Sequence, residues 1–114
     1  MDKEISGITP VHAPDGAIDL NNSNSLRDEM HAQIEKGARA IVLDLHSVRY
    51  IDSSGLSALV GVATALEKRG GQLLLCNVDD AVMKVLEMTR LTEYFGVADS
   101  RDRALELATS LQSV

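Results

Sequence analysis

The chain has 114 residues, enough for one domain with one core, and 45 % of them are hydrophobic. A formal charge of -6 supplies no basic stripe for a phosphate backbone and no attraction to an anionic membrane surface, so neither nucleic acid nor membrane is expected as a partner. One cysteine, Cys76, leaves no internal disulfide and none of the metal spacings built on paired cysteines. No metal and no cofactor are expected.

Residues 1–15 are the least regular part. In "EISGITPVH" a short strand could form, but Pro10 has no N–H for a ladder and must lie at an edge or stop the strand early. "PDGAIDL" reads as a turn leading into a second short extended piece. The acidic start "MDKEISGITP" has no apolar core of a signal peptide. No apolar run approaches the ~18 residues of a membrane span. The expected location is the cytoplasm.

From Ser25 the pattern sharpens. "SLRDEMHAQIEKG" opens with Ser25 and Asp28, close to a capping box, and Leu26, Met30 and Ile34 recur at helical spacing before Gly37. "RAIVLDL" is a strand apolar on both faces, and "HSVRYI" carries the chain on to Asp52-Ser53-Ser54-Gly55. The helix after that turn is expected to bury Leu56, Leu59, Val60 and Ala63, with "RGG" at 69–71 as its stop. "QLLLCNV" is a second buried strand, with Cys76 as a small apolar residue in it. Asp79 or Asp80 caps a helix carrying Val82, Val85, Leu86 and Thr89 on one face. "EYFGVA" is a short strand, and the last helix buries Ala104, Leu107, Ala108 and Leu111. Successive βα units imply right-handed crossovers. The expected fold is a small α/β domain, a mixed but mainly parallel sheet of four to five strands flanked by about four helices.

The turn at 52–55 has three readings. Asp52, Ser53 or Ser54 can cap the following helix, whose first N–H groups lack partners. A serine there could be a nucleophile, but the Gly-x-Ser-x-Gly elbow would need glycine where Ile51 stands, and His12, His31 and His46 occupy no recognisable frame. His46 reads as a surface-loop residue. The third reading is a phosphoacceptor, because a helix N-terminus offers free donors and the positive end of a dipole. Between Gly55 and Leu66 the helix carries no charge, and Ser57, Ala58, Gly61, Val62 and Ala65 form a small apolar face opposite the expected stripe. That face is either covered by the same domain or docks a partner. A receiver domain is a poor match. It needs an acidic pair after the first strand and an aspartate after a central one, whereas Asp44 lies within "IVLDL".

"AIVLDLHSVRYIDSSGLSALVGVATALEKRGGQLLLCNV" followed by "DAVMKVLEMTRLTEYF" resembles the STAS domains, and among them the stand-alone anti-sigma factor antagonists, over roughly residues 16–111. The resemblance implies a single STAS domain over 1–114, with an opening hairpin shortened by Pro10 and Pro14. It implies a protein without catalytic residues of its own. The phosphorylated serine maps to Ser53, with Ser54 as the alternative. The implied partners are an anti-sigma factor with serine kinase activity and a metal-dependent serine phosphatase. The unmodified form binds the kinase and frees a sigma factor, and phosphorylation ends the complex. Asp19, before the first helix, takes the family position beside the phosphoacceptor, with Asn21 near it. The expected docking surface joins these two to Asp52, Ser54, Gly55, Leu56, Ser57, Ala58, Gly61 and Val62. A rival role for such a domain is that of an unphosphorylated scaffold subunit in a transport or sensory complex.

Overall fold

The computed structural model describes residues 9–112, so most of the strand expected in "EISGITPVH" lies outside the described residues. The chain enters at β1 (Val11–His12) and bends into β2 (Gly16–Ile18). Helix α1 (Ser23–Glu35) leads to β3 (Ala40–Asp44), and a short turn separates β3 from β4 (Val48–Ile51). Then follow α2 (Ser53–Glu67), β5 (Gln72–Cys76), α3 (Asp80–Met88), a 3-10 turn at Thr92–Tyr94, β6 (Gly96–Ala98) and α4 (Arg101–Gln112).

The strands form a four-stranded sheet, β1-β3-β5-β6, and a two-stranded one, β2-β4. Every pairing among the described residues is parallel, so the parallel part of the expected sheet is present and its antiparallel part is not among them. Among the described residues Pro10 lies at the edge of the sheet, and its carbonyl accepts the Val42 N–H at 2.9 Å. The segment 11–18 therefore follows 42–51 side by side, first in one sheet and then in the other.

Both faces of the larger sheet are covered, which is why β3 is apolar from Ala40 to Leu43 and β5 from Leu73 to Cys76. Ile41, Leu43, Leu73 and Leu75 meet α1, α2 and α3 through Met30, Ile34, Leu59, Val62, Leu66 and Leu86. Ala40, Val42, Leu74 and Cys76 face α4, where Ala104 and Ala108 are fully buried. Each large aliphatic side chain in that first layer contributes roughly 1.5–3 kcal/mol on burial.

Helix ends differ in how well the sequence marks them. Gly37 (φ +104) closes α1 with a Schellman pair, its N–H donating to Ile34 O and the Ala38 N–H to Gln33 O. The start of α1 lies two residues before Ser25. Its N-cap is Asn22, and no side chain caps it, because Asn22 uses its amide on the preceding loop. Asp79 caps α3 as expected, accepting from Ala81 N at 3.0 Å.

At the far end of β3, Asp44 is 3 % exposed. Burial alone would push its carboxyl up, but donors from Asn77, Arg101 and His46 outweigh that and hold it at about 2 against an ordinary 3.8. The Arg101 Nε bond to Oδ2, at 2.9 Å, ties the first residue of α4 to the sheet. His46 is exposed, as expected, with its ring on Asp44.

Candidate functional site

β4 ends at Ile51, and Asp52, in extended backbone (φ -103, ψ -175), redirects the chain into α2. The Asp52 Oδ1 accepts the Gly55 N–H at 2.9 Å, and the Leu56 N–H closes the first turn on the Asp52 carbonyl. Asp52 is therefore the cap, and neither serine is needed for that task. Ser53 is exposed, and Ser54 is half-buried beside it. Among the described residues nothing binds the Ser53 hydroxyl.

Gly55 does something other than open the turn to a partner. It is buried, and a Cβ there would lie 2.5 Å from the Ile18 carbonyl oxygen and 2.8 Å from Ile51 Cγ1. Strand β2 thus runs directly under the first turn of α2, and Ile18 O accepts the Asp52 N–H at 3.2 Å. Only a residue without a side chain allows that approach.

The same strand delivers the loop 19–22 to the turn. The Leu20 N–H donates to Asp52 Oδ2 at 3.2 Å. Asp19 Oδ1 accepts the Asn21 N–H, and Asn22 braces the loop by taking the Asp19 N–H and donating to Ala17 O at 2.7 Å. The loop that carries Asp19 and Asn21 is thereby tied to the turn through the Leu20 N–H and fixed by its own polar groups. Leu20 between them carries no motif in the sequence, yet it is 72 % exposed. The one available signal was an apolar residue set between Asp19 and two asparagines.

The expected faces of α2 need correction. Its buried residues are Gly55, Ala58, Leu59, Val62, Ala63 and Leu66. Ala58 and Val62, 5 % and 0 % exposed, belong to the core and cannot touch a partner; Gly55 is likewise covered. Leu56 and Val60, placed in the expected buried stripe, are only half-buried. With apolar residues all round, the sequence leaves the helix's rotation undetermined. The close approach of β2 at Gly55 and packing against α1 and the sheet set it. The face left to solvent carries Ser53, Ser57 and Gly61 one turn apart, flanked by Leu56, Val60 and Thr64.

Chemically, the turn presents a hydroxyl at the N-terminus of a 15-residue helix, beside a carboxylate that is already engaged. His12 bonds Gln33 and His46 bonds Asp44, and among the described residues no histidine bonds the Ser53 hydroxyl. Among the described residues no cluster of histidine, cysteine or acidic side chains could hold a metal ion. A cavity of about 540 Å³ lies at the other end of α2, lined by Glu67, Gln72, Arg90 and Tyr94 among others, and does not include the turn. No helix among the described residues is long and apolar enough to cross a membrane.

Comparison with known proteins agrees with this geometry. A family model, the STAS domain, matches residues 1–104. BtrV of Bordetella bronchiseptica, named as a candidate anti-sigma factor antagonist, is 38 % identical over 89 residues, covering 78 % of this chain and 77 % of its own. The anti-sigma F factor antagonist of Paenibacillus polymyxa is 30 % identical over 91 residues, covering 79 % and 78 %. In three dimensions the chain is similar to the anti-sigma factor antagonist SpoIIAA of Bacillus, solved in two forms. The unphosphorylated form gives a TM-score of 0.76 at 24 % identity, covering 88 % of this chain and 87 % of that one. The phosphorylated form gives 0.68 at 23 %, covering 85 % and 87 %.

Proposed function

The chain belongs to the STAS domain family, and from that premise we propose that it is an anti-sigma factor antagonist switched by phosphorylation of Ser53. The observation that carries the proposal is the division of labour at the turn: Asp52 does the capping, so the adjacent serine hydroxyl is left exposed. In its unmodified form the turn, the loop 19–22 and the Ser57/Gly61 face of α2 dock on an anti-sigma factor that binds ATP. In the transfer step the Ser53 Oγ bonds to the γ-phosphorus of ATP and the bridging P–O bond to ADP breaks. The hydroxyl proton leaves to a base of the kinase or to water. The product carries about -1.5 to -2 charge at pH 7 and leaves the complex. A metal-dependent serine phosphatase returns the hydroxyl. The protein is a substrate in both steps and acts in the cytoplasm. Ser54, half-buried, is the less accessible acceptor.

The test is a binding assay with the ATP-dependent anti-sigma kinase of the same organism, read alongside intact mass. Wild type should gain one phosphoryl group on Ser53 and dissociate, whereas Ser53→Ala should stay bound through repeated additions of ATP. Release of Ser53→Ala by ATP at the wild-type rate would remove Ser53 from the switch. Stable binding with no mass gain would favour the unphosphorylated scaffold role.

A further inference from the structure

Asp52 uses its two oxygens on two different segments. Oδ1 holds the Gly55 N–H of α2 at 2.9 Å, and Oδ2 holds the Leu20 N–H, 32 residues earlier, at 3.2 Å. One carboxylate therefore fastens the phosphoacceptor's helix to the loop that projects Leu20. An exposed leucine is ordinary on a protein surface. What sets Leu20 apart is its backbone, since every residue from Asp19 to Asn22 has an N–H or a side chain bonded within the loop or to Asp52. A side chain held out on so constrained a loop loses little freedom on docking, which is what an anchor requires. Ser53 directly follows Asp52 in the chain. A phosphate there sets two or nearly two negative charges against that carboxylate and brings three further acceptors for the N–H groups of the first turn. Of the two bonds that Asp52 makes, the one to Leu20 is the longer and the more exposed, so it gives first.

We infer that Leu20 is an apolar anchor of the docking surface, that Asp52 is the residue that positions it, and that phosphate on Ser53 withdraws it by breaking the Asp52–Leu20 bond. The inference rests on the function proposed above and adds to it a path from charge to contact. The phosphate acts on the partner directly and also through the loop 19–22.

Two measurements test it. In the first, phosphoserine is built in at position 53 during synthesis, so no kinase is needed, and amide hydrogen exchange is followed by NMR. The Leu20 amide should exchange about tenfold faster or more in the phosphorylated chain, the scale set by one hydrogen bond to a charged group, while amides of β3 and β5 stay unchanged. Asp52→Ala without phosphate should show the same acceleration at Leu20. Equal protection of Leu20 in the modified and unmodified chains overturns the inference and leaves the phosphorylation reading standing. In the second, Leu20→Ala is titrated against the same ATP-binding anti-sigma factor used for Ser53→Ala. Binding should weaken tenfold or more with the thermal midpoint unchanged. Wild-type affinity would remove Leu20 as an anchor. Failure of unmodified wild type to bind at all would overturn the docking role together with the anchor, and the exchange experiment would still report whether Asp52 couples the two segments.

Discussion

Replacing Gly55 by alanine probes the point at which strand, loop and helix meet. The added methyl would lie 2.5 Å from Ile18 O, 2.8 Å from Ile51 Cγ1 and 2.9 Å from Ile18 Cγ2. The first of these is backbone and cannot rotate away. Restoring an ordinary contact of 3.4 Å or more moves β2 off the helix by close to an ångström, and Ile18 O is also the acceptor for Asp52 N–H. Overpacking of this kind costs roughly 1–3 kcal/mol, and weakening the hydrogen bond adds about 1 kcal/mol. Alanine's better helix propensity returns at most about 1 kcal/mol. The net loss is about 1–3 kcal/mol, or a fall in Tm of roughly 4–12 °C at about 4 °C per kcal/mol for a domain of this size. Gly61 is the control. It is exposed in the same helix, and a Cβ there meets nothing within 4 Å. Gly61→Ala should therefore raise stability by up to about 1 kcal/mol. Urea and thermal unfolding of the two variants, followed by circular dichroism, give the comparison. If Gly55→Ala unfolded at or above the wild-type midpoint, β2 could not be seated under α2 as described.

Acid should weaken the fold partly through Asp44. Its carboxyl titrates at about 2 when folded against 3.8 ordinarily, so its contribution is present above about pH 4 and is lost as pH falls through 2. The shift corresponds to about 2 kcal/mol, and Asp44→Asn should flatten the fall in the urea midpoint between pH 4 and pH 2 by that amount; an unchanged slope would show that other carboxylates carry it. Cys76 is fully buried, and burial first, then the charge of Asp44, push its thiol up to about 11. It should resist thiol reagents at pH 8 until the protein unfolds, so fast labelling under native conditions would contradict the packing of β5 against α4. The same raised value means that its contribution, present below pH 9, is lost as pH rises towards 11.

The elements were legible where pattern and termination agreed. β3 is apolar from Ala40 to Leu43 and β5 from Leu73 to Cys76 because both faces are covered, and Gly37 closes α1 with the geometry its lack of a Cβ permits. Asp79 caps α3 in the expected way. What failed to show in the sequence depends on long-range placement. The rotation of α2 follows from the approach of Ile18 to Gly55, 37 positions apart in the chain, and no local periodicity encodes it. A cap-like serine points to a start of α1 at Ser25, whereas the helix begins at Ser23, which is buried, and Asn22 spends its side chain on the loop. At the turn, three candidate caps could be ranked only by seeing which oxygen meets the Gly55 N–H. Leu20 acquires meaning only through its bond to Asp52, and the Asp44–Arg101 pair joins residues 57 apart.

In the proposed switch, the placement of Ser53 would make one modification decisive at an interface and mild within the domain. The buried side of the turn is made by Ile51, Gly55 and Ile18, whereas Ser53 is exposed to solvent. For the isolated domain, a phosphate at the N-terminus of α2 is favoured by the helix dipole by roughly 0.3–1 kcal/mol. Repulsion from Asp52, screened by water, is larger, roughly 1–2 kcal/mol, and is relieved when the bond to Leu20 opens. The fold thus loses little. In a complex the same phosphate must shed its water against a surface shaped for a neutral hydroxyl, and an unpaired charge buried in that way costs several kcal/mol. A switch from almost wholly bound to almost wholly free needs roughly 5.5 kcal/mol of differential affinity. Desolvation at Ser53 can supply most of that, and loss of one apolar anchor, worth roughly 1–3 kcal/mol, can supply the rest. In the proposed switch the two contributions would arise from a single covalent change, because Asp52 bonds both the helix that carries the serine and the loop.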